Sequence, residues 1–378
     1  MYVSFNINSQ YMNKKKLKLY YRVLVHIFFN YLYGKILIPK KNQILLKKEK
    51  INNSIYKSYD NKKYNLYKIT DGRIFTDNNE NVAVIKDNFI LPNVSFQQIN
   101  GKLETVKYNI TVKQSTSFFI KKIKGKVFNL CQGASGDNYF HFIFDILPKI
   151  YLLNSKIDLK KVDYFYVSDP KKWQIKIFGI LGINKKKLLS SKKYKHILAE
   201  EIYAVDHPWY NKGYVQKNCQ KIPKWIVHKN RKLFLNNNKK NNTNKKIFLD
   251  RSDSKYNHCQ IKNLKDIKKL ILEKKFKIYK PEILSFEQQI NLFKDSSIII
   301  GAHGAALSNI IFCKPGTKVI EIIPADHPNR KAERVSKILK LRYFRIKTKP
   351  DNFDANYPFR INLNKKNLES IKKIIELK

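Results

Sequence analysis

The stretch from Lys246 to Leu377 constrains the fold more than any other part of the chain, because short apolar runs and helical patterns alternate through it without a break. The spacing predicts strand Lys246–Asp250, helix Ile261–Lys274, strand Phe276–Tyr279, helix Phe286–Lys294, strand Ser297–Ile300 and helix Ala305–Cys313. Strand Lys318–Ile323, helix Asn329–Lys340, strand Tyr343–Lys347 and helix Lys366–Leu377 complete it. Strands alternating with helices of this length imply a doubly wound parallel sheet. Ligands of such sheets bind beyond the carboxyl ends of the strands. Arg251-Ser252, the turn from Gly301 to Ala305, and Glu321 all fall there.

The turn reads Ile300-Gly301-Ala302-His303-Gly304-Ala305-Ala306-Leu307-Ser308-Asn309. A strand that breaks at glycine and reopens as a helix leaves the first N–H groups of that helix unpaired, where an anion can sit. Gly301 and Gly304 would let the main chain approach such a ligand, and His303 would add a polar or cationic contact. Arg251 can grip a phosphate through its planar fork, while Glu321 can accept hydrogen bonds from ribose hydroxyls. Each feature alone also suits an ordinary strand-to-helix turn. Together they describe a nucleotide-diphosphate site.

A second loaded stretch runs from Cys131 to Pro148, a small-residue loop that opens an aromatic-rich helix with Asp137 or Asn138 at its N-cap. Asn138, His141 and Asp145 fall at i, i+3 and i+7 and share one face. Phe140, Phe144, Leu147 and Tyr151 form a neighbouring apolar face, and Pro148 should bend or end the helix. A histidine with a carboxylate one turn away is a proton-transfer pair, or else a pair that only supports packing.

The 378 residues suffice for two domains. Residues 1–63 read as a basic, aromatic extension and linker, 64–235 as a first lobe, 236–246 as a polar linker, and 247–378 as the second lobe. Between Tyr64 and Ile120, apolar runs separated by Asp-Gly and Asn-Gly signals predict hairpins. Strand Val162–Val167, helix Trp173–Leu181, strand Ile197–Val205 and helix Pro223–Leu235 follow. Asp206-His207-Pro208-Trp209 forms a loop of candidate acceptor contacts. Near the N-terminus, Lys14-Lys15-Lys16-Leu17-Lys18 precedes an aromatic and aliphatic segment, Leu19 to Pro39. Arg22, His26 and Lys35 make it a poor spanning helix. It either lies flat on an anionic membrane or packs on the first lobe.

Charge tests the remaining classes. The chain carries 76 Lys+Arg against 29 Asp+Glu, a formal net charge of +47. The excess is mostly lysine, spread along the length with asparagine and isoleucine, and no finger, RNP-like or basic-zipper pattern accompanies it, which argues against nucleic acid as a partner. With 43% hydrophobic and 13% aromatic residues the chain has the composition of a folded protein. Its four cysteines, widely spaced with no C-x-x-C pair, fit a reducing, cytoplasmic compartment.

In order and spacing, Asn138 to Pro148, Asp250-Arg251-Ser252, Ile300 to Asn309, Pro315-Gly316 and Val319 to Pro324 resemble the glycosyltransferases of family 61. These act in bacterial capsule and surface polysaccharide synthesis and in eukaryotic glycan assembly. The resemblance implies a GT-B architecture, two Rossmann-like lobes with a cleft between them. It also implies an inverting transfer from a nucleotide sugar to a glycan or lipid-linked glycan, with no divalent metal or other cofactor. The lack of an Asp-x-Asp pair agrees with that. His141 and Asp145 would then be the catalytic pair, Asn138 an acceptor-side residue, and Arg251, Ser252, Gly301, His303, Gly304, Ala305, Asn309 and Glu321 the donor site. Where members often carry a further arginine after the Arg-Ser turn, this chain offers Lys255 or His258. A catalytically silent nucleotide-sugar or glycan-binding subunit is the alternative reading.

Overall fold

The computed structural model describes residues 7–40, 47–51, 63–77, 81–133, 135–136, 138–210, 212–235, 244–252, 259–349 and 360–377. Asp137, Lys255, His258, most of the 236–246 tract and much of the 41–63 linker lie outside them. The chain divides into two compact units. The first comprises Met1–Ile51, Tyr64–Gly136 and Tyr151–His207; the second comprises Asn52–Lys63, Asp137–Ile150 and Pro208–Lys378.

In the first unit β1 (Lys47–Ile51), a strand in the stretch expected to be linker, pairs antiparallel with β2 (Tyr64–Thr76), and the predicted hairpins continue the antiparallel region with β3 (Asn81–Lys86), β4 (Phe89–Ile90), β5 (Phe96–Ile99) and β6 (Lys102–Leu103). A parallel region of β7 (Lys121–Asn129), β8 (Tyr164–Val167), β9 (Leu188–Ser190) and β10 (His196–Val205) continues the same sheet, β10 pairing antiparallel with β2. The parallel order is β10-β7-β8-β9. A helix spanning Ile7–Tyr33 precedes the sheet. Ile36, Phe75, Ala83, Ile85 and Ile90 form a small core nearby.

The second unit includes a short strand, β11 (Gly213–Tyr214). Its own sheet contains β12 (Lys245–Leu249), β13 (Lys277–Tyr279), β14 (Ser296–Ala302), β15 (Lys318–Pro324) and β16 (Arg342–Thr348), in the order β13-β12-β14-β15-β16. All neighbours are parallel. Every residue of β15 is buried, as a strand covered on both faces requires, which is why it reads as an unbroken apolar run around Glu321. Helices Leu264–Glu273, Phe286–Lys294, Lys331–Leu339 and Lys365–Glu376 occupy the predicted places within a few residues. Between β14 and β15 the predicted α-helix is a tighter 3₁₀ helix, Ala305–Phe312. Leu307 to Phe312 are buried on all sides, so their apolar spacing does not distinguish the two kinds of turn.

Residues 137–150 and 208–235, which the sequence reading places in the first lobe, belong to the second unit. The contacts responsible are long-range. Arg231 donates to the carbonyls of Ile311 (2.6 Å) and Cys313 (2.7 Å), and Phe234 packs edge-on against Phe286. The fold is thus mixed α/β, with a Rossmann-like second unit and a first unit in which only β7 to β10 follow that plan.

Candidate functional site

In the five-stranded sheet, β12 is followed by β13 on one side while β14 lies on the other, so strand order reverses between β12 and β14. Open α/β sheets bind ligands at the carboxyl ends of such a pair. There the guanidinium of Arg251 donates to the carbonyl of His303. Asp250 holds the entry to this loop by accepting from the Ser252 N–H at 2.9 Å and pairing with Lys268 at 2.9 Å. A cavity of about 10 Å³, room for roughly one water, is lined by Leu249, Asp250, Arg251, Ser252 and Ala302 among others. Gly301 lies beside Leu249 and Glu321 in the ladder, and its α-carbon is so close to Leu249 that a Cβ would press on that side chain. Gly304 has extended backbone and caps the 3₁₀ helix that begins at Ala305.

His303 and Glu321 form a buried pair, with Nδ1 and Oε1 2.6 Å apart. Tyr343 donates its hydroxyl to the other carboxylate oxygen at 2.5 Å. Burial pushes the His303 imidazole below its usual pKa against the pull of Glu321. Burial works the other way on Glu321, but His303 and the Tyr343 hydroxyl outweigh it and hold the carboxyl below its ordinary range. A carboxylate facing a neutral imidazole fixes the proton on Nδ1 and leaves Nε2 as the acceptor. Glu321 is 1% exposed, with one oxygen on His303 and the other on Tyr343.

Sequence reasoning missed Lys331. Its ammonium is buried, donates to the Gly304 carbonyl at 2.8 Å and lies 4.8 Å from the ring centre of Phe140. Burial, with Arg251 nearby, lowers its pKa to about 8 despite the opposing influence of Glu321. Nothing in the sequence separates this lysine from the rest of the 76 Lys+Arg residues.

The second motif forms a helix with a defect at its chemical centre. Asn138 caps it, its side-chain oxygen accepting from the N–H groups of Phe140 (2.9 Å) and His141 (3.4 Å). One turn, Tyr139–His141, leads into a π turn, Phe142–Ile146, and the α-helix resumes at Leu147–Asn154. Pro148 therefore distorts the helix without ending it. Lacking an N–H, proline leaves carbonyls one turn earlier without a helical donor. Trp209 Nε1 donates to the Phe144 carbonyl at 3.1 Å, and Asn230 Nδ2 to that of Ile143 at 3.1 Å.

The same Trp209 N–H lies 2.7 Å from Asp145 Oδ1, while Asp145 Oδ2 lies 2.7 Å from His141 Nδ1. Asp145 is fully buried and His141 is 7% exposed. The arrangement orients an imidazole through a carboxylate that an indole holds from behind. Tyr139 donates to Asn309 Oδ1 at 2.5 Å, and Asn309 donates to Gln289 at 2.7 Å. Asn309, expected at the donor, is instead a buried tie between the two motifs. The predicted acceptor loop also separates into two roles. Asp206 accepts from the Asn65 N–H at 2.8 Å and the Tyr67 hydroxyl at 3.0 Å within the first unit, whereas Trp209 supports Asp145 in the second.

Comparison with known proteins agrees with these motifs. Residues 139–320 match the family described as Glycosyltransferase 61, which confirms the family resemblance over that segment. The segment contains His141, Asp145, Arg251 and the Gly301–Asn309 turn, and stops short of Lys331. Over 60 residues the chain is 37% identical to a beta-1,2-xylosyltransferase of Arabidopsis thaliana, covering 16% of this chain and 11% of that protein. The chain thus matches only a small part of that relative's length.

Proposed function

We propose that this chain, which carries a Glycosyltransferase 61 segment across its two motifs, transfers a sugar from a nucleotide-sugar donor to a glycan acceptor. The observation that carries the reading is that Arg251, Lys331 and the Gly304 turn share one compact unit with the His141–Asp145 pair. Cations at a turn suit a diphosphate leaving group, and an oriented imidazole suits removal of a hydroxyl proton. The two units are then the lobes of a GT-B-type enzyme, with the donor held mainly by the second.

In this mechanism the acceptor hydroxyl attacks the anomeric carbon in line as the bond to the diphosphate oxygen breaks, inverting the configuration. His141 takes the hydroxyl proton on Nε2. Asp145, buried and bonded on both oxygens, holds the imidazole in position and does not itself meet the substrate. The charge gathering on the leaving phosphate is met by Arg251, Lys331 and the N–H groups that open the 3₁₀ helix at Ala305, which do the work a divalent cation does elsewhere. His303, held through Nδ1 by Glu321, adds a polar contact on the phosphate side of the turn. The acceptor fits a growing surface glycan of capsule or lipopolysaccharide type.

Thermal-shift measurements with UDP, GDP, CDP and CMP, each with and without EDTA, test this directly. One nucleotide at 100 times its dissociation constant should stabilise the fold by about 2.7 kcal/mol, regardless of EDTA, and Arg251→Ala should abolish the effect. No response to any nucleotide would remove the donor site. Binding without transfer or hydrolysis would favour a silent subunit.

A further inference from the structure

The helix Ile7–Tyr33 has two faces of different fate. Its inner face docks on the first unit: Phe29 is 7% exposed, its ring centre lies 5.2 Å from that of Phe119, and the Tyr33 hydroxyl accepts from the Ile120 N–H at 3.1 Å. The outer face is apolar and open to solvent. Leu17, Tyr20, Leu24, Ile27, Phe28 and Tyr31 recur at three- and four-residue spacing, so they form one stripe. Leu24 is 65% exposed, Ile27 60% and Tyr31 91%. Elsewhere among the described residues exposed large apolar side chains such as Ile180, Leu272 and Ile283 stand apart, whereas on this helix they are contiguous, and a contiguous exposed apolar patch marks an interaction site.

The stripe continues onto the sheet. Phe119 is exposed and its ring centre lies 6.2 Å from that of Phe28. Lys121 and Lys122, exposed at the start of β7, follow at once, and the Lys195 ammonium lies 4.7 Å from the centre of the Phe118 ring. On the helix Lys16, Lys18 and Arg22 are exposed. The sequence contains no aspartate or glutamate before Glu49. The surface therefore complements an anionic partner, and an anionic leaflet offers phosphates to its lysines and arginine and an apolar layer to the whole length of the stripe. No helix among the described residues is long and apolar enough to cross a membrane.

We propose that the outer face of the Ile7–Tyr33 helix, together with Phe119, lies in the surface of an anionic lipid bilayer, with Lys16, Lys18, Lys121 and Lys122 at the level of the lipid phosphates. The helix lies along the interface with its apolar stripe below the headgroups. This site is independent of sugar transfer.

The test is flotation of the full-length protein with phosphatidylcholine vesicles and with mixed phosphatidylcholine–phosphatidylglycerol vesicles. Because the chain is so basic, the deciding variant keeps its charge: Leu24→Ser, Ile27→Ser and Phe28→Ser combined, all exposed positions, with circular dichroism checking that the fold is kept. Wild type should float with the mixed vesicles and poorly with phosphatidylcholine alone, and the variant should bind the mixed vesicles about a hundredfold more weakly. Equal binding of both forms would reduce the interaction to bulk charge and overturn the proposal. Light scattering without lipid supplies the other arm. A wild-type dimer that the triple variant dissociates, with no flotation of either form, would make the stripe a self-association face and overturn it equally.

Discussion

The guanidinium of Arg251 packs against the bare α-carbon of Gly304, so closely that any side chain at position 304 would collide with it. The backbone there is extended and would suit any residue. What glycine supplies is space for the arginine. Gly304→Ala should therefore displace Arg251, weakening nucleotide binding nearly as much as Arg251→Ala while leaving the sheet intact. Calorimetric titration of both variants checks this; an alanine variant with wild-type affinity would mean Arg251 does not meet the phosphate.

Asp145 bonds His141 through one oxygen and Trp209 through the other, so in the proposed transfer it acts through His141. Asp145→Asn should lower transfer by about 10²–10⁴-fold with nucleotide affinity unchanged. Trp209→Phe removes the indole donor from both Asp145 and the Phe144 carbonyl, and should also cost about 1–3 kcal/mol of stability in urea unfolding.

Lys331 should give nucleotide binding its alkaline limit. With its pKa near about 8, the ammonium is charged at neutral pH and is lost as pH rises through that value. Affinity should fall across that range, and Lys331→Met should bind about 1.5–3 kcal/mol more weakly with a flatter pH dependence. Titrations at several pH values distinguish this from a lysine that only supports Gly304, whose removal would leave the dependence unchanged.

His196 provides an acid-side prediction for the first unit. Burial lowers its pKa from 6.5 to about 4, opposed by its bond to the Phe118 carbonyl and aided by Arg73. The unfolded chain therefore binds this proton more readily than the folded one. Its contribution is complete above about 6.5 and is lost as pH falls toward about 4, up to roughly 3 kcal/mol. Urea midpoints across this range should decline more steeply in wild type than in His196→Phe.

The five-stranded sheet was legible because each β-strand and helix there carries its own period. Ser285 and Gln288 even mark the start of the helix Phe286–Lys294 with a capping box. Arg251 and the Gly304 turn could be read from their place after strands. Lys331 could not, since its burial depends on Phe140, nearly two hundred residues away. Glu321 was visible as a carboxylate within an apolar strand, but its bond to Tyr343 from the neighbouring strand was not. The transfer of 137–150 to the second unit likewise rests on partners such as Asn309 and Asn230, which no local pattern announces.

A π turn is a helix holding one residue too many for its length. Each residue of an α-helix advances the face by about 100°, so the extra residue between Phe142 and Ile146 puts the two flanking segments out of phase. After it, Ile150, Leu152 and Leu153 are buried in the core; before it, Asn138 caps the helix and His141 pairs with Asp145. The two rows can consequently change independently, because neither inherits its direction from the other. Deleting one residue from the π turn would lock them together and swing the imidazole off its bearing, a loss that no conservative substitution in the same turn would reproduce.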